Sequence, residues 1–320
     1  MHLSRRNVMH GSLLLSSALV HELTRPAGLF EISQALASES SGPDGLRLTK
    51  PDQADIFAGA RHETLISGAD SAEALFAGQN LKGRYSAALF TASGDLRSVT
   101  LPGRGHDVAV RPLIGGGDGS VEVVAFARRP GRFAVAFSAN LKKPAVTFHA
   151  ADNRHFYGHG VFSPLGQLLY STENDYENGV GVIGIRNATD GYKQIGEFSS
   201  HGIGPHDMAL LDDGTTLVIA NGGIETSPDS GRQILNLAHM EPSLVYIDRR
   251  DGTLLEKVSL SDEIRQLSIR HLTVAGKNRV VFGCQYKGAS SEKPMLIGFH
   301  DRGAEIKFSA APDAIHRRMN

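Results

Sequence analysis

The amino-acid sequence predicts an all-β protein, and within that class a β-propeller of four-stranded blades. Short strands rich in β-branched residues recur along the chain, tight turns of Gly, Asp or Asn separate them, and the pattern repeats at intervals of 53, 47 and 65 residues. Self-similarity at periods of about 40–50 residues is typical of propeller blades and other repeat folds. Helical patterns of charged residues are scarce, which disfavours a helix-rich alternative.

The first half of each repeat is a predicted hairpin that starts beside a histidine. In the third repeat, a strand at 205–210 is followed by a turn at 212–214 and by a β-branched strand at 216–220. Apolar runs bounded by Asp and Gly are typical of strands joined by a tight turn. The histidines at this repeat position are His106, His159, His206 and His271.

The second half of each repeat predicts another hairpin, so that each blade has four strands. Asp-Gly turns separate two of these strand pairs, at 190–191 and 251–252, and Asp-Gly between β-rich runs is a strong hairpin signal. The third repeat also carries an extra loop at 227–241. The predicted pairs are 133–137 with 145–148, 180–185 with 192–198, 243–247 with 253–258, and 295–299 with 306–308.

An earlier repeat at 63–101, with strands near 64–66 and 85–90, brings the visible total to about five blades. We expect about six or seven blades in a closed ring. Two sources for the missing strands stay open. They are residues 43–57, or a continuation beyond Asn320, in which case the sequence is truncated at its C-terminus.

The amino terminus resembles a twin-arginine export signal. Arg5 and Arg6 precede an apolar stretch at 13–20, and Ala35-Leu36-Ala37 fits a small-x-small cleavage site. The sequence therefore predicts a signal peptide over residues 1–37, a propeller domain over residues 38–320, and a periplasmic location. Twin-arginine export carries proteins that fold or load a cofactor before they cross the membrane.

Composition excludes several classes of protein. Lys+Arg 33 against Asp+Glu 34 gives a net charge of −1, whereas a nucleic-acid binder normally carries a basic excess. No run of about 18 apolar residues is present, so no transmembrane segment is expected once the signal is removed. With Cys284 as the single cysteine, the chain has no internal disulfide and no cysteine-based zinc or iron–sulfur site.

The four repeat-position histidines are the strongest candidates for a site. Each sits at the entry to the first strand of its blade, and in a propeller that strand lines the central channel. Repeat symmetry would carry all four to the same end of the channel, where neutral imidazoles could hold iron, copper, zinc or nickel. Two objections stay open: histidine is simply a turn residue that this repeat tolerates, or opposite strands lie too far apart.

Polar residues at the ends of the second strands are predicted to surround the histidines, in a second shell or at the rim. Glu173 either orients a ligating imidazole or is a solvated rim residue. Asp107 and Asp207 follow two of the histidines, so in regular strands they point to the opposite face. Cys284 is read as a buried apolar cysteine. The rim candidates are Glu173, Asn174, Asn221, Arg128 and Gln285.

Several motifs together resemble a bacterial family known as domain of unknown function 1513. They read Gly-His-Gly-Val-Phe-Ser-Pro at 158–164, Ser-Thr-Glu-Asn-Asp-Tyr at 171–176, Gly-Ile-Gly-Pro-His-Asp at 202–207, Ala-Asn-Gly-Gly-Ile at 220–224 and Ser-Ile-Arg-His-Leu at 268–272. The resemblance covers residues 50–320 and implies an exported propeller. It also implies a continuation past Asn320, and a genetic setting beside imelysin-like periplasmic proteins and a di-haem oxidoreductase-like protein that suggests iron uptake.

The leading interpretation is a periplasmic propeller that binds a transition metal, iron or copper, through His106, His159, His206 and His271. Its role would be metal handling beside imelysin-like partners, and no catalytic residue is assigned. One alternative is a protein-interaction scaffold with structural histidines. The other is a metal-dependent hydrolase of the lactonase type, with Glu173, Asn174 and Asn221 as ligands.

Overall fold

Antiparallel strands and their turns make up nearly all of the regular structure. The computed structural model describes residues 66–67, 85–90, 96–112, 121–231, 233–276, 279–289 and 294–309. In this part of the chain the only helical elements are 3-10 segments at Pro228–Ser230, Leu237–His239 and Asp262–Ile264. None of these segments has the length or the apolar character needed to cross a membrane.

Each blade is a meander in which consecutive strands pair antiparallel, and this confirms the predicted propeller. Blade 1 contains β4 (Gly105–Val110), β5 (Glu122–Ala127), β6 (Phe133–Ser138) and β7 (Val146–His149). Blade 2 contains β8 (Arg154–Phe162), β9 (Leu168–Asp175), β10 (Val180–Asn187) and β11 (Lys193–Ser199). Blade 3 contains β12 (Pro205–Leu210), β13 (Thr216–Asn221), β14 (Ser243–Asp248) and β15 (Leu254–Ser259). Blade 4 contains β16 (Leu267–Val274), β17 (Arg279–Tyr286), β18 (Ile297–Asp301) and β19 (Lys307–Ser309).

The predicted earlier repeat is also present, as a fifth sheet. It has three strands in the described residues: β1 (Ile66–Ser67), β2 (Tyr85–Phe90) and β3 (Leu96–Leu101). The export signal, the candidate closing strands at 43–57 and the chain end after residue 309 lie outside the described residues. So does the Gly-rich stretch at 113–120.

Burial falls from the middle of each blade to its outer edge. The middle strands β6 and β13 are buried along their whole length, whereas the outermost strand β11 alternates between exposed and partly buried residues. A strand between two neighbouring blades packs on both faces, which explains why the middle strands read as continuous apolar runs. The period-2 alternation of β11 is typical of a strand with one face in water.

The hydrophobic core lies between the blades. Phe126 of blade 1 packs with Phe156 of blade 2, and Tyr170 of blade 2 lies in one cluster with Leu217 of blade 3. Burying one side chain of this size stabilises the fold by about 1.5–3 kcal/mol. Because each interface is filled this way, the first strands β4, β8, β12 and β16 are held side by side around the axis.

All four innermost strands are irregular where the histidines lie. The pairing register shifts between Gly105 and Val108 in β4, and between Pro205 and Asp207 in β12. The same irregularity occurs between residues 156 and 160 in β8 and between residues 269 and 272 in β16. A β-bulge adds an unpaired residue and re-aims the side chains next to it. The repeated irregularity therefore decides which side chains face the channel.

Candidate metal centre

The structure brings the four repeat-position histidines together at one end of the channel. The ring centroids of His106 and His159 are 4.8 Å apart, those of His159 and His206 5.1 Å, and those of His206 and His271 4.8 Å. Across the group the separations are 5.1, 5.8 and 6.4 Å. The distance between opposite strands, which the sequence left open, is therefore short enough for one cluster.

Glycine at position 158 allows the close approach of His106 and His159. Gly158 has φ of +109°, and a Cβ at this residue would lie 2.4 Å from Cδ2 of His106. Only glycine adopts this conformation and leaves space for the imidazole. As a result, Nε2 of His106 lies 3.1 Å from Nε2 of His159.

Two aspartates contact the histidines of the blade that follows. Oδ2 of Asp107 is 2.6 Å from Nδ1 of His159, and Oδ2 of Asp207 is 3.7 Å from Nδ1 of His271. Oδ1 of Asp207 also lies 3.4 Å from Nδ1 of His159. The expectation that these carboxylates face away from the histidines is wrong, because the bulges break the alternation that a regular strand imposes.

The residue that follows each repeat-position histidine differs between repeats, and this difference corresponds to the aspartate contacts. His-Asp occurs in the first and third repeats, whereas His159 and His271 are followed by Gly160 and Leu272. Each aspartate thus reaches the histidine of the next blade, and Asp207 also reaches His159 of the blade before it. The backbone N–H of Leu272 also donates to Oδ2 of Asp207, at 3.0 Å, which ties blade 3 to blade 4.

Asp107 orients the imidazole of His159. With the proton on Nδ1, His159 donates to Asp107, and the lone pair of Nε2 then faces His106. Histidines that bind metals in proteins almost always donate their second ring N–H to a carboxylate or carbonyl in this way. The arrangement leaves Nε2 as the ligating atom.

Burial favours the neutral, metal-binding form of His106 and His206. Desolvation lowers the pKa of both His106 and His206 well below 6.5, and the neighbouring histidines and Arg270 lower it further. The pKa of Asp207 is also lowered, since its interactions with His159 and His271 outweigh the opposing effect of burial. Neutral imidazoles beside an ionised carboxylate form a suitable donor set for a divalent transition metal.

The donor atoms form two overlapping triads that share His159. One ligand atom from each of His106, His159 and His206 can be chosen so that all lie within 4.8 Å of one another, and the same holds for His159, Asp207 and His271. Donors bound tetrahedrally at ~2.1 Å lie ~3.4 Å apart, so side chains of a triad would move inward by roughly an ångström to hold an ion. Moreover, Nδ1 of His206 is buried and has no hydrogen-bond partner among the residues that the structure describes.

Glu173 forms an ion pair with Arg186 and does not join the histidine cluster. It is fully buried, and its Oε1 accepts hydrogen bonds from Nη1 of Arg186 at 2.6 Å and from the Ser171 hydroxyl at 2.8 Å. Arg186 is itself fully buried, with its guanidinium 5.0 Å from the centre of the Phe156 ring. This ion pair lies within blade 2, and the structure does not bring Glu173 to the histidines.

The other predicted rim residues have separate surroundings. Asn174 donates to Nε2 of His155 and to the Thr226 carbonyl. Asn221 is buried and donates to the Ser200 carbonyl. Arg128 is partly buried directly after β5, and it contributes to the lowered pKa of His106.

Two further residues considered in the sequence, Gln285 and Cys284, lie in blade 4. Gln285 lies near the channel end of blade 4, where its Oε1 accepts from Nη2 of Arg270 and from Nζ of Lys287. Cys284 is buried in the core between blades 3 and 4, as predicted, and burial raises the pKa of its thiol. Sequence reasoning did not single out Arg129, Arg270 or Lys287, which also lie at this end of the channel.

Comparison with known proteins identifies a family and a fold. A family model described as "Protein of unknown function (DUF1513)" matches residues 99–320. No curated protein sequence matches. Among solved structures, the chain is similar to "Kuenenia stuttgartiensis Hydrazine Synthase", with a TM-score of 0.52 and 14% identity over 68% of this chain and 57% of that one. It is also similar to "Structure of Dos1 propeller", with a TM-score of 0.48 and 11% identity over 72% of this chain and 56% of that one.

These similarities are limited in what they show. At 14% identity the hydrazine synthase match shows a shared fold alone. The chain spans little more than half the length of either solved structure.

Proposed function

Because the chain belongs to the DUF1513 family, whose description names no activity, we propose a function from the site: the protein binds a transition-metal ion through His106, His159, His206 and His271. The observation that carries the proposal is the convergence of four imidazoles from four successive blades. Structural histidines in a repeat would each bond within their own blade. Here His106 and His159 instead meet across a blade boundary at 3.1 Å.

The aspartates support a metal site over a purely structural cluster. Asp107 and Asp207 each reach the histidine of the next blade. A carboxylate behind an imidazole holds the ring orientation and raises the basicity of the ligating nitrogen. Its negative charge also offsets part of the charge of a divalent cation.

We propose iron or copper as the metal. Imidazole ligands suit both, and copper(II) stands highest in the affinity order of the divalent first-row metals. The resemblance described above implies iron acquisition, which supports iron. In this proposal the protein handles or takes up metal beside imelysin-like partners, and no reaction is assigned to it.

We further propose that the protein acts in the periplasm. The support is the sequence of residues 1–37, with Arg5 and Arg6 ahead of an apolar stretch. Cell fractionation of the chain with and without Arg5→Lys and Arg6→Lys tests this: the wild type should reach the periplasm and the double variant should stay inside. Periplasmic recovery of the double variant would argue against twin-arginine export.

Elemental analysis by mass spectrometry tests the metal proposal. Full-length protein, purified without chelator or a histidine tag, should contain near-stoichiometric iron or copper, and the His106→Ala/His159→Ala/His206→Ala/His271→Ala variant should contain none. His239→Ala is the matched control, because His239 is exposed and lies outside the cluster.

The single variants His106→Gln and His206→Gln provide the test if the quadruple variant does not fold. Each should lose metal while its circular dichroism and melting curve stay those of a folded propeller. A folded wild type that carries no metal, and that takes up none when iron(II) or copper(II) is added, would overturn the proposal and favour the interaction scaffold.

The lactonase alternative has no specific support in the geometry. Glu173, Asn174 and Asn221 hydrogen-bond to different partners, and none of them bonds to another of the three.

A further inference from the structure

A cluster of positive charge adjoins the histidines at the same end of the channel. Ala127, at the end of β5, pairs with Gly105, and Tyr286, at the end of β17, pairs with Leu267. The second strand of a blade therefore ends where its first strand begins, beside the repeat-position histidine. Lys287 directly follows β17, and Arg129 is the second residue after β5.

Arg270 is the third cation of this positive cluster. It lies in the irregular part of β16, next to His271. Its guanidinium is close enough to contribute to the lowered pKa of both His106 and His206. Arg270 and Lys287 share Oε1 of Gln285 as acceptor, and Arg129 is near enough for its charge to act on both.

These three cations have neutral partners. Nη1 of Arg129 donates to the Thr226 hydroxyl at 3.1 Å, while Arg270 and Lys287 both donate to Oε1 of Gln285, at 3.3 and 2.6 Å. Within the residues that the structure describes, no carboxylate pairs with any of the three. Burial and the neighbouring Arg270 and Arg129 lower the pKa of Lys287 to about 8.

A buried phenol lies at the same place. Tyr157 is 4% exposed, and its hydroxyl makes no well-aligned hydrogen bond within the described residues. The Thr226 hydroxyl, which accepts from Arg129, lies beside it, and the charges of Arg129 and Arg270 are near. Tyr157 comes from the bulge of β8, so blades 1, 2 and 4 each contribute a donor to one space.

We propose that Arg129, Arg270, Lys287 and the Tyr157 hydroxyl bind the oxygens of a small anion, a carboxylate or a phosphate group, at the mouth of the channel. Three partly buried cations that have no carboxylate partner in the described residues repel one another, and a ligand of opposite charge would offset this repulsion. Guanidinium forks match the paired oxygens of carboxylate and phosphate, and lysine and tyrosine supply single donors. This site is separate from the histidine cluster and does not require the metal.

Isothermal titration calorimetry with citrate and with inorganic phosphate tests the proposal, with glycerol as the neutral probe. Wild-type protein should bind one or both anions at up to millimolar concentration, more weakly at high salt. Arg129→Gln and Lys287→Gln should each weaken binding about 10- to 100-fold, as expected for the loss of a charged hydrogen bond. Arg279→Gln and Lys193→Gln remove exposed charges away from the mouth and are the matched controls.

Thermal melts separate a binding role from a structural one. Without anion, Lys287→Gln should melt a few degrees higher than the wild type, because it relieves repulsion. With saturating citrate or phosphate the order should reverse. A variant that is less stable than the wild type in both conditions would show a structural role and overturn the proposal.

The quadruple histidine variant distinguishes the two proposals. Anion binding should persist in it, provided that its circular dichroism is native, and the Arg129→Gln protein should keep its metal. If anion binding is lost with the histidines and unaffected by Arg129→Gln and Lys287→Gln, the anion is a ligand of the metal and the arginine site is wrong. Absence of binding by both anions would also overturn it.

Discussion

Two arginines of this propeller, one fully and one partly buried, have opposite surroundings. Arg186, inside blade 2, is fully buried, bonds to Glu173 at 2.6 Å and lies over the rings of Phe148 and Phe156. Arg270, at the channel mouth, has a glutamine partner and two further cations for neighbours. The charge of Arg186 is balanced by Glu173, although Nε of Arg186 and Oε2 of Glu173 have no hydrogen-bond partner in the described residues, whereas Arg270 has no carboxylate partner there. The contrast separates charge that supports the fold from charge that is kept for binding.

The largest expected effect concerns the ion pair of blade 2. Glu173→Gln leaves Arg186 charged in a fully buried position. Removing one partner of a buried pair typically costs about 3–5 kcal/mol, so we expect a large fall in the urea midpoint. Metal content should not change.

The double variant Glu173→Leu/Arg186→Met is the control, because apolar residues of similar volume often replace a buried pair at little cost. It should recover most of the lost stability. If Glu173→Gln instead released metal without lowering stability, Glu173 would belong to the metal centre and the contrast between the two regions would fail.

The next effect concerns the aspartates behind the histidines. Asp107→Asn keeps the size of the side chain but removes the charge that orients His159. Substitution of such a carboxylate lowers metal affinity by about 10- to 100-fold. Competition with a chromophoric chelator measures this change, and Asp152→Asn, at an exposed ion pair, is the control.

Asp207→Asn should weaken metal binding as well, since Asp207 faces both His159 and His271. An unchanged affinity in both variants would mean that the aspartates serve only to join neighbouring blades through backbone N–H groups such as that of Leu272.

The smallest expected effect is on the pH dependence of stability. The pKa of His106 and of His206 is lowered well below 6.5 in the folded protein. Below pH 6.5 the unfolded chain therefore binds protons that the folded chain does not, and the free energy of unfolding of the metal-free protein falls as pH falls. The slope contributed by each such histidine is at most about 1.4 kcal/mol per pH unit.

Urea denaturation of the metal-free protein between pH 7.5 and pH 5.5 measures this slope. The His106→Ala/His206→Ala variant should show a shallower dependence than the wild type, and His239→Ala should match the wild type. An equal slope in all three proteins would mean that these two imidazoles are protonated as easily in the folded chain as in the unfolded one.

The blade pattern could be predicted from the sequence because it depends on local chemistry. Strand composition and Asp-Gly turns act over a few residues, and a repeat displays the same solution several times. The predicted strand at 216–220 corresponds to β13 at Thr216–Asn221, and the predicted pair at 243–247 and 253–258 corresponds to β14 and β15. Repeat position also identified the four histidines that converge.

Tertiary structure decided which other residues join them. Whether Asp107 faces His159 depends on a bulge in β4, and a shift of one residue turns a side chain to the other face of a strand. Glu173 looked equally suitable by its position at a strand end, but Arg186 lies within its reach only after β9 and β10 pair. Likewise, Arg129, Arg270 and Lys287 stand far apart in the sequence and become one positive cluster only when the blades close around the channel.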